Sequence, residues 1–133
     1  MIASKKPIVS ELKFTREHEW VKIKEGVAII GISDFAQQQL EDVVSIELPK
    51  VSSVFAQGQT IAIVDSVKAS SDVYAPISGE IIEVNEDLIE KPEMINHSPY
   101  DLGWIVRIKP SNMGEVESLM TEEQYDRYIG EIK

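Results

Sequence analysis

The sequence predicts a mainly β domain, a small barrel or sandwich with helical trim. Three observations lead there. Short alternating or apolar runs recur with turn signals roughly every 8–12 residues. The repeated strand–helix–strand pattern of a doubly wound nucleotide-binding sheet is missing. Helical spacing is confined to a short stretch after Ser33 and to an apolar stripe at the end of the chain.

In chain order, Trp20 to Lys24 alternates apolar and charged, the period of a half-buried strand. Glu25-Gly26 signals a turn, and Val27 to Ile32 is a second strand, so the pair reads as a hairpin. Ser33 offers an N-cap with Asp34 in the first turn, and a short helix runs to about Glu41. Val43 to Leu48 returns to strand and Pro49 ends it. Val51 to Gln59 reads as loop, Thr60 to Val64 as strand, and Asp65 to Ser71 as a polar, small-residue connection. Asp72 to Ala75 and Glu80 to Val84 are strands around the Pro76–Gly79 turn, Asp87 to Asn96 is a mixed loop, and Trp104 to Lys109 is strand. Asn112…Glu115 and Thr121…Gln124 both have capping-box spacing. Tyr125, Tyr128, Ile129 and Ile132 form the closing stripe, predicted to pack on the β core. The strand content on either side of Lys68 is similar, which permits a pseudo-symmetric barrel.

A chain of 133 residues suits one domain, and 43% apolar residues suffice for its core. We expect a loose N-terminal tail over residues 1–12 and a single domain over 13–133. Met1–Lys13 lacks the apolar segment of a secretory signal. The net charge of −10 argues against nucleic acid and anionic membranes as partners, and favours partners with basic or amphipathic surfaces. No apolar run approaches the ~18 residues of a membrane span. The absence of cysteine removes disulfides, thiolate metal sites and thiol nucleophiles, and fits a reducing compartment.

Conventional catalytic motifs are missing, so no catalytic or metal-binding residue is expected. Glu17-His18-Glu19 could ligate a cation, but neighbours on a strand point to opposite faces. Trp20 is expected to anchor the core and His18 to hydrogen-bond locally; His97 suggests no role. The segment from Asp65 to Pro76 is different. Lys68 sits between small residues and between two strands of similar length, so it should stand at a hairpin tip, its amine open to an enzyme.

The residues around that lysine carry a resemblance. Asp65-Ser66-Val67-Lys68-Ala69 is followed by Ser71-Asp72, Ala75-Pro76-Ile77-Ser78-Gly79-Glu80 and Glu83-Val84-Asn85. Upstream stand Phe14-Thr15, His18-Glu19-Trp20, Gly31 to Gln37, Val44 and Glu47-Leu48-Pro49. Downstream stand Ile95-Asn96, Ser98-Pro99-Tyr100, Gly103-Trp104 and the final helix. Together they resemble the glycine cleavage system H protein family over about Leu12 to Ile132. The chain departs from the family's usual pattern at Asp65 (commonly Glu), Glu41 (commonly Gly), Ser52-Ser53 (a glycine-bearing loop) and Glu17 (commonly a small hydroxyl residue).

The resemblance implies a barrel-sandwich hybrid of the lipoyl/biotinyl carrier type, with a short early helix and C-terminal helices. It implies lipoic acid joined as an amide to Lys68, and a non-catalytic carrier that holds its dithiolane at high effective concentration near successive active sites. The implied partners are the pyridoxal-phosphate glycine decarboxylase (P protein), the aminomethyltransferase (T protein) and the dihydrolipoyl dehydrogenase (L protein). A lipoate ligase or lipoyl/octanoyl transferase would load the arm. By the same resemblance Glu19 and Asp72 would dock the arm once it carries an aminomethyl group, a primary amine suited to carboxylates. A monomer in the bacterial cytoplasm is expected, or a mitochondrial protein if the chain is a processed eukaryotic form.

Other readings share parts of this pattern. A lipoyl relay would donate lipoate to 2-oxoacid dehydrogenases. A biotin carrier usually has Met on both sides of the lysine, where Val67 and Ala69 stand here. Acyltransferase lipoyl domains have a different flank, of acid-Thr-Asp-Lys-Ala type.

Overall fold

The structure, a computed structural model, describes residues 12–132. Strands β1 (Lys13–Phe14), β2 (Glu19–Lys24) and β3 (Val27–Ile32) precede helix α1 (Asp34–Leu40). Strands β4 (Val43–Glu47), β5 (Val54–Phe55), β6 (Thr60–Ser66), β7 (Ser70–Tyr74) and β8 (Gly79–Val84) follow. Two one-turn helices, α2 (Asp87–Glu90) and α3 (Met94–His97), lead to β9 (Val106–Pro110). Helix α4 (Gly114–Glu117), β10 (Met120–Thr121) and α5 (Glu122–Ile132) complete the described chain.

The strands form two sheets, in the orders β10-β1-β2-β3-β9-β8-β5 and β4-β6-β7. Every pairing is antiparallel. The main core lies between them: Val21 and Ile30 from one sheet face Val64 and Val73 from the other, all buried. Each fully buried aliphatic side chain contributes about 1.5–3 kcal/mol. The result is the flattened barrel-sandwich expected.

The local chemistry explains the elements. Glu25 and Gly26 both have positive φ, 54° and 81°, and close the β2–β3 hairpin as a two-residue turn with Lys24 opposite Val27. Ser33 caps α1, its Oγ accepting the Ala36 amide at 3.1 Å. Thr121 and Gln124 form a reciprocal capping box at the start of α5: the Thr121 amide donates to Gln124 Oε1 at 2.9 Å, and the Gln124 amide to Thr121 Oγ1 at 3.2 Å. The α5 stripe packs as predicted through Tyr125, Tyr128 and Ile129, with Tyr125 buried and stacked on Phe14 at 4.3 Å, whereas Ile132 stays exposed. Leu12, Phe14, Trp20 and Tyr125 make a second core cluster. Trp20 anchors it, its indole N–H donating to the Pro99 carbonyl at 3.0 Å.

Several expectations need correction. The loop at 51–59 contains β5, which pairs only two residues with β8. The mixed loop at 87–96 holds α2 and α3, because Leu88 and Ile95 are each wholly buried and one turn of helix brings each inward. Asn112 and Glu115 form no capping box. The Glu115 carboxylate instead accepts from the Ser78 amide at 2.7 Å and its hydroxyl at 3.0 Å. Gly79 lies in a strand, where a Cβ would come 2.4 Å from the Lys109 carbonyl oxygen. The expected tail lies outside the described residues except for Leu12, which is buried.

Candidate functional site

Strands β6 and β7 pair from Thr60↔Tyr74 up to Asp65↔Ser70, leaving Val67, Lys68 and Ala69 as the hairpin tip. Side chains just below hold it. The Ser66 hydroxyl accepts the amides of Lys68 at 3.1 Å and Ala69 at 3.0 Å, and donates to the Ala69 carbonyl. The Asp65 carboxylate accepts from Ser45 on β4 at 3.1 Å and from Ser70 on β7, bracing all three strands of the small sheet. The Val67 amide donates to the Asp42 carbonyl at 2.9 Å, tying the tip to the segment after α1.

On this frame Lys68 is exposed. Its Nζ lies 3.5 Å from the Gln39 carbonyl oxygen, at the outer limit of a hydrogen bond. Among the described residues it is in no ion pair. The amine is therefore accessible, as the hairpin reading requires.

A cleft of about 330 Å³ opens beside the hairpin, between the start of β2, α1 and β7. Ile32, Phe35, Leu40, Val64 and Val73 give it apolar walls, and Gln39 stands at its edge toward Lys68. Glu17, His18, Glu19 and Asp72 supply its polar lining. The two expected docking acids thus share one cavity, yet differ in setting. Asp72 is exposed on β7. Glu19 is only 1% exposed. Its Oε2 accepts the Tyr74 amide at 3.0 Å and its Oε1 accepts the Thr15 hydroxyl. Burial pushes the Glu19 carboxyl above the usual range, against the opposing pull of those hydrogen bonds.

His18 departs from its expected local role. It sits at φ 77°, its ring 4.9 Å from that of Phe35, and its Nδ1 lies 2.8 Å from the hydroxyl of Tyr125 on α5. That hydroxyl also lies 2.7 Å from Ser33 Oγ. Burial holds the His18 imidazole below its ordinary pKa, which favours the neutral ring. With Glu19 engaged at both oxygens and His18 turned to Tyr125, residues 17–19 do not converge on one point. Among the described residues no group of three or more His, Asp or Glu side chains is arranged to hold a metal. Among them also, no helix is long and apolar enough to cross a membrane.

Sequence reading assigned no role of their own to Thr15, Tyr74, Gln39 or Ser66. Only Ser66, two residues before the lysine, carried a local signal, since serine caps tight turns.

An accessible lysine on a braced hairpin of a two-sheet flattened barrel defines a carrier domain of the lipoyl/biotinyl type. Comparison with known proteins narrows this. Residues 12–132 match the family model described as glycine cleavage H-protein. A glycine cleavage system H protein of Halothermothrix orenii is 46% identical over 126 residues, covering 95% of this chain and 98% of that protein. A probable glycine cleavage system H protein of Aeropyrum pernix is 50% identical over 115 residues, covering 86% and 80%. The crystal structure of a glycine cleavage system H protein from Mycobacterium marinum superposes with a TM-score of 0.84 at 32% identity, covering 91% of this chain and 98% of that one. The chain belongs to the glycine cleavage H-protein family, the lipoyl carriers of the glycine cleavage system.

Proposed function

We propose that Lys68 is the lipoyl attachment site, and that the protein carries an aminomethyl group from the P protein to the T protein before the L protein restores the arm. The observation that supports this most directly is the exposed Lys68 amine at the tip of a hairpin braced from both sides by Ser66 and Asp65.

The residues present fit the group. Val67 and Ala69 leave the amine unhindered, and the adjacent cleft has apolar walls for a dithiolane and carboxylates for an amine. When bound, the lipoyl group supplies a disulfide that accepts the aminomethyl group and a dithiol once that group has left. The protein's own residues position and shield. Ser66 and Asp65 keep the tip from folding over, so the arm pivots from a fixed point and its effective concentration near an active site is high. Ile32, Phe35 and Val73 exclude water from the cleft. Asp72 offers a carboxylate to a primary ammonium entering from the tip. Glu19 adds its charge from behind the wall, and Glu17 adds another at the mouth, where the family commonly has a small hydroxyl residue.

A carrier whose chemistry resides in its lipoyl group needs no catalytic residue of its own. A shuttle has to leave each enzyme to reach the next, which supports a monomer. The cysteine-free chain accords with a cytoplasmic place. The open tip suits a lipoate ligase or lipoyl/octanoyl transferase.

Intact mass after incubation with lipoate, ATP and a ligase should rise by one lipoyl group, mapped to Lys68. A Lys68→Arg protein that still gains that mass removes the assignment.

A further inference from the structure

Four exposed large apolar side chains, Val51, Ile82, Ile89 and Leu102, lie around Trp104. Two adjoining hollows, of about 600 and 420 Å³, share Asn85, Glu86, Asp87 and Trp104. Their edges carry Val51, Ile82, Ile89 and Leu102, which are 52%, 41%, 64% and 59% exposed. The floor is prebuilt. Asn85, almost fully buried, donates from Nδ2 to the Leu102 and Trp104 carbonyls at 2.9 and 2.7 Å. Arg107 stacks on Trp104 at 4.0 Å and is itself held by Glu83 at 2.7 Å. Exposed aliphatic side chains set around a fixed tryptophan, within a lining that is half polar, mark an interaction surface.

The rim decides what fits. Glu83 is neutralised by Arg107, but Glu86, Asp87 and Glu90 are exposed and, among the described residues, form no ion pair. Lys91 is the one cation opposed to them in the lining. A second copy, with the same rim and a net charge of −10, would be repelled, as would anionic lipid.

The face is linked to the hairpin through α3. Asn96 on α3 accepts the Val43 amide at 2.9 Å and donates to the Glu41 carbonyl at 2.8 Å, and the next residue, Asp42, accepts the Val67 amide. The α2–α3 segment that supplies Ile89 and Met94 to the larger hollow is thus tied directly to the base of the tip that carries Lys68.

We infer that this face docks an enzyme that receives the Lys68 arm, through a basic segment of that enzyme bearing an aliphatic or aromatic side chain. This rests on the carrier reading above. The acidic rim speeds encounter and sets its salt dependence, while burial around Trp104 holds the complex during transfer.

The test uses the lipoylated protein with purified P, T and L enzymes in their separate partial reactions. Two variants are compared with the wild type: Ile89→Ser with Leu102→Ser, and Glu86→Gln with Asp87→Asn and Glu90→Gln. For at least one enzyme both variants should raise KM for the carrier about tenfold with kcat nearly unchanged. In fluorotryptophan-labelled carrier, the Trp104 fluorine resonance should move on adding that enzyme while that of buried Trp20 stays. KM values unchanged for all three enzymes overturn the docking face. So does a rise from the charge variant alone, which would be long-range attraction only, or a dimer at assay concentration. Should the double serine protein misfold, Leu102→Ser alone carries the same test. Wild-type protein turned over by none of the enzymes would overturn the carrier reading, and this partner with it.

Discussion

The hydroxyl of Tyr125 on the last helix lies 2.8 Å from Nδ1 of His18 in the wall of the cleft, and 2.7 Å from the hydroxyl of Ser33 that caps α1. The end of the chain thereby holds two sides of the candidate docking cavity in register. Tyr125→Phe keeps the ring stacked on Phe14 but deletes both bonds. We expect a loss of about 1–2 kcal/mol, since Ser33 and His18 are left partly unsatisfied. Urea unfolding checks this; an unchanged midpoint would show the hydroxyl to be idle.

The same pair sets a pH dependence. Burial depresses the His18 pKa, so the unfolded chain binds its proton more readily than the folded one. The stability involved is complete above about 6.5 and is lost as pH falls from there through the lowered folded pKa. Wild-type stability should therefore drop as pH falls below about 6.5. In His18→Asn, chosen because asparagine tolerates positive φ, that part of the slope should disappear. Equal slopes would refute the assignment.

Glu19 works in the opposite sense. Burial raises its folded pKa above 4.5, so its contribution is greatest below 4.5 and declines as pH rises through the folded value. The stability difference between wild type and Glu19→Gln should therefore shrink from acid toward neutral pH. Glu19→Ala strands the Tyr74 amide and the Thr15 hydroxyl, and should cost about 2–4 kcal/mol. Thermal and urea unfolding across pH test both.

Asp72 is exposed and, among the described residues, its side chain makes no contact of that kind, so Asp72→Asn separates docking from stability. With lipoylated protein loaded by the P enzyme and glycine, the variant should lose the aminomethyl group severalfold faster than wild type, followed by mass spectrometry. Its melting temperature should be unchanged. Equal loss rates would remove the docking role and leave Lys68 untouched.

Gly79 tests the sheet. Any side chain there meets the backbone of β9, so Gly79→Ala should cost about 3 kcal/mol or more and loosen the β8–β9 pairing, seen as faster amide exchange across it. Exchange at wild-type rates would contradict so close an approach.

Much of this was legible in the order of residues, because the signals were local. The β2–β3 hairpin followed from alternation and Glu25-Gly26, α1 from Ser33, and the packing of α5 from the spacing of Tyr125, Tyr128 and Ile129. Lys68 at a tip followed from small residues between two strands. Short elements escaped: β5 exists only because β8 lies alongside, and α2 and α3 only because Leu88 and Ile95 have a core to enter. A capping box was realised at Thr121–Gln124 but not at Asn112–Glu115, where Ser78 offers Glu115 two donors from across the molecule.

The amino-acid order alone determined the strand-rich class, the accessible lysine and the acidic surface, since periodicity, turn chemistry and net charge are properties of neighbours and sums. Only the tertiary structure decided that Glu19 is buried behind the cleft while Asp72 faces water, that His18 answers to Tyr125 107 residues away, and that scattered apolar residues meet around Trp104. Those facts depend on which strands pair and what then covers them, and hydrogen bonds and burial between distant segments leave no trace in local sequence.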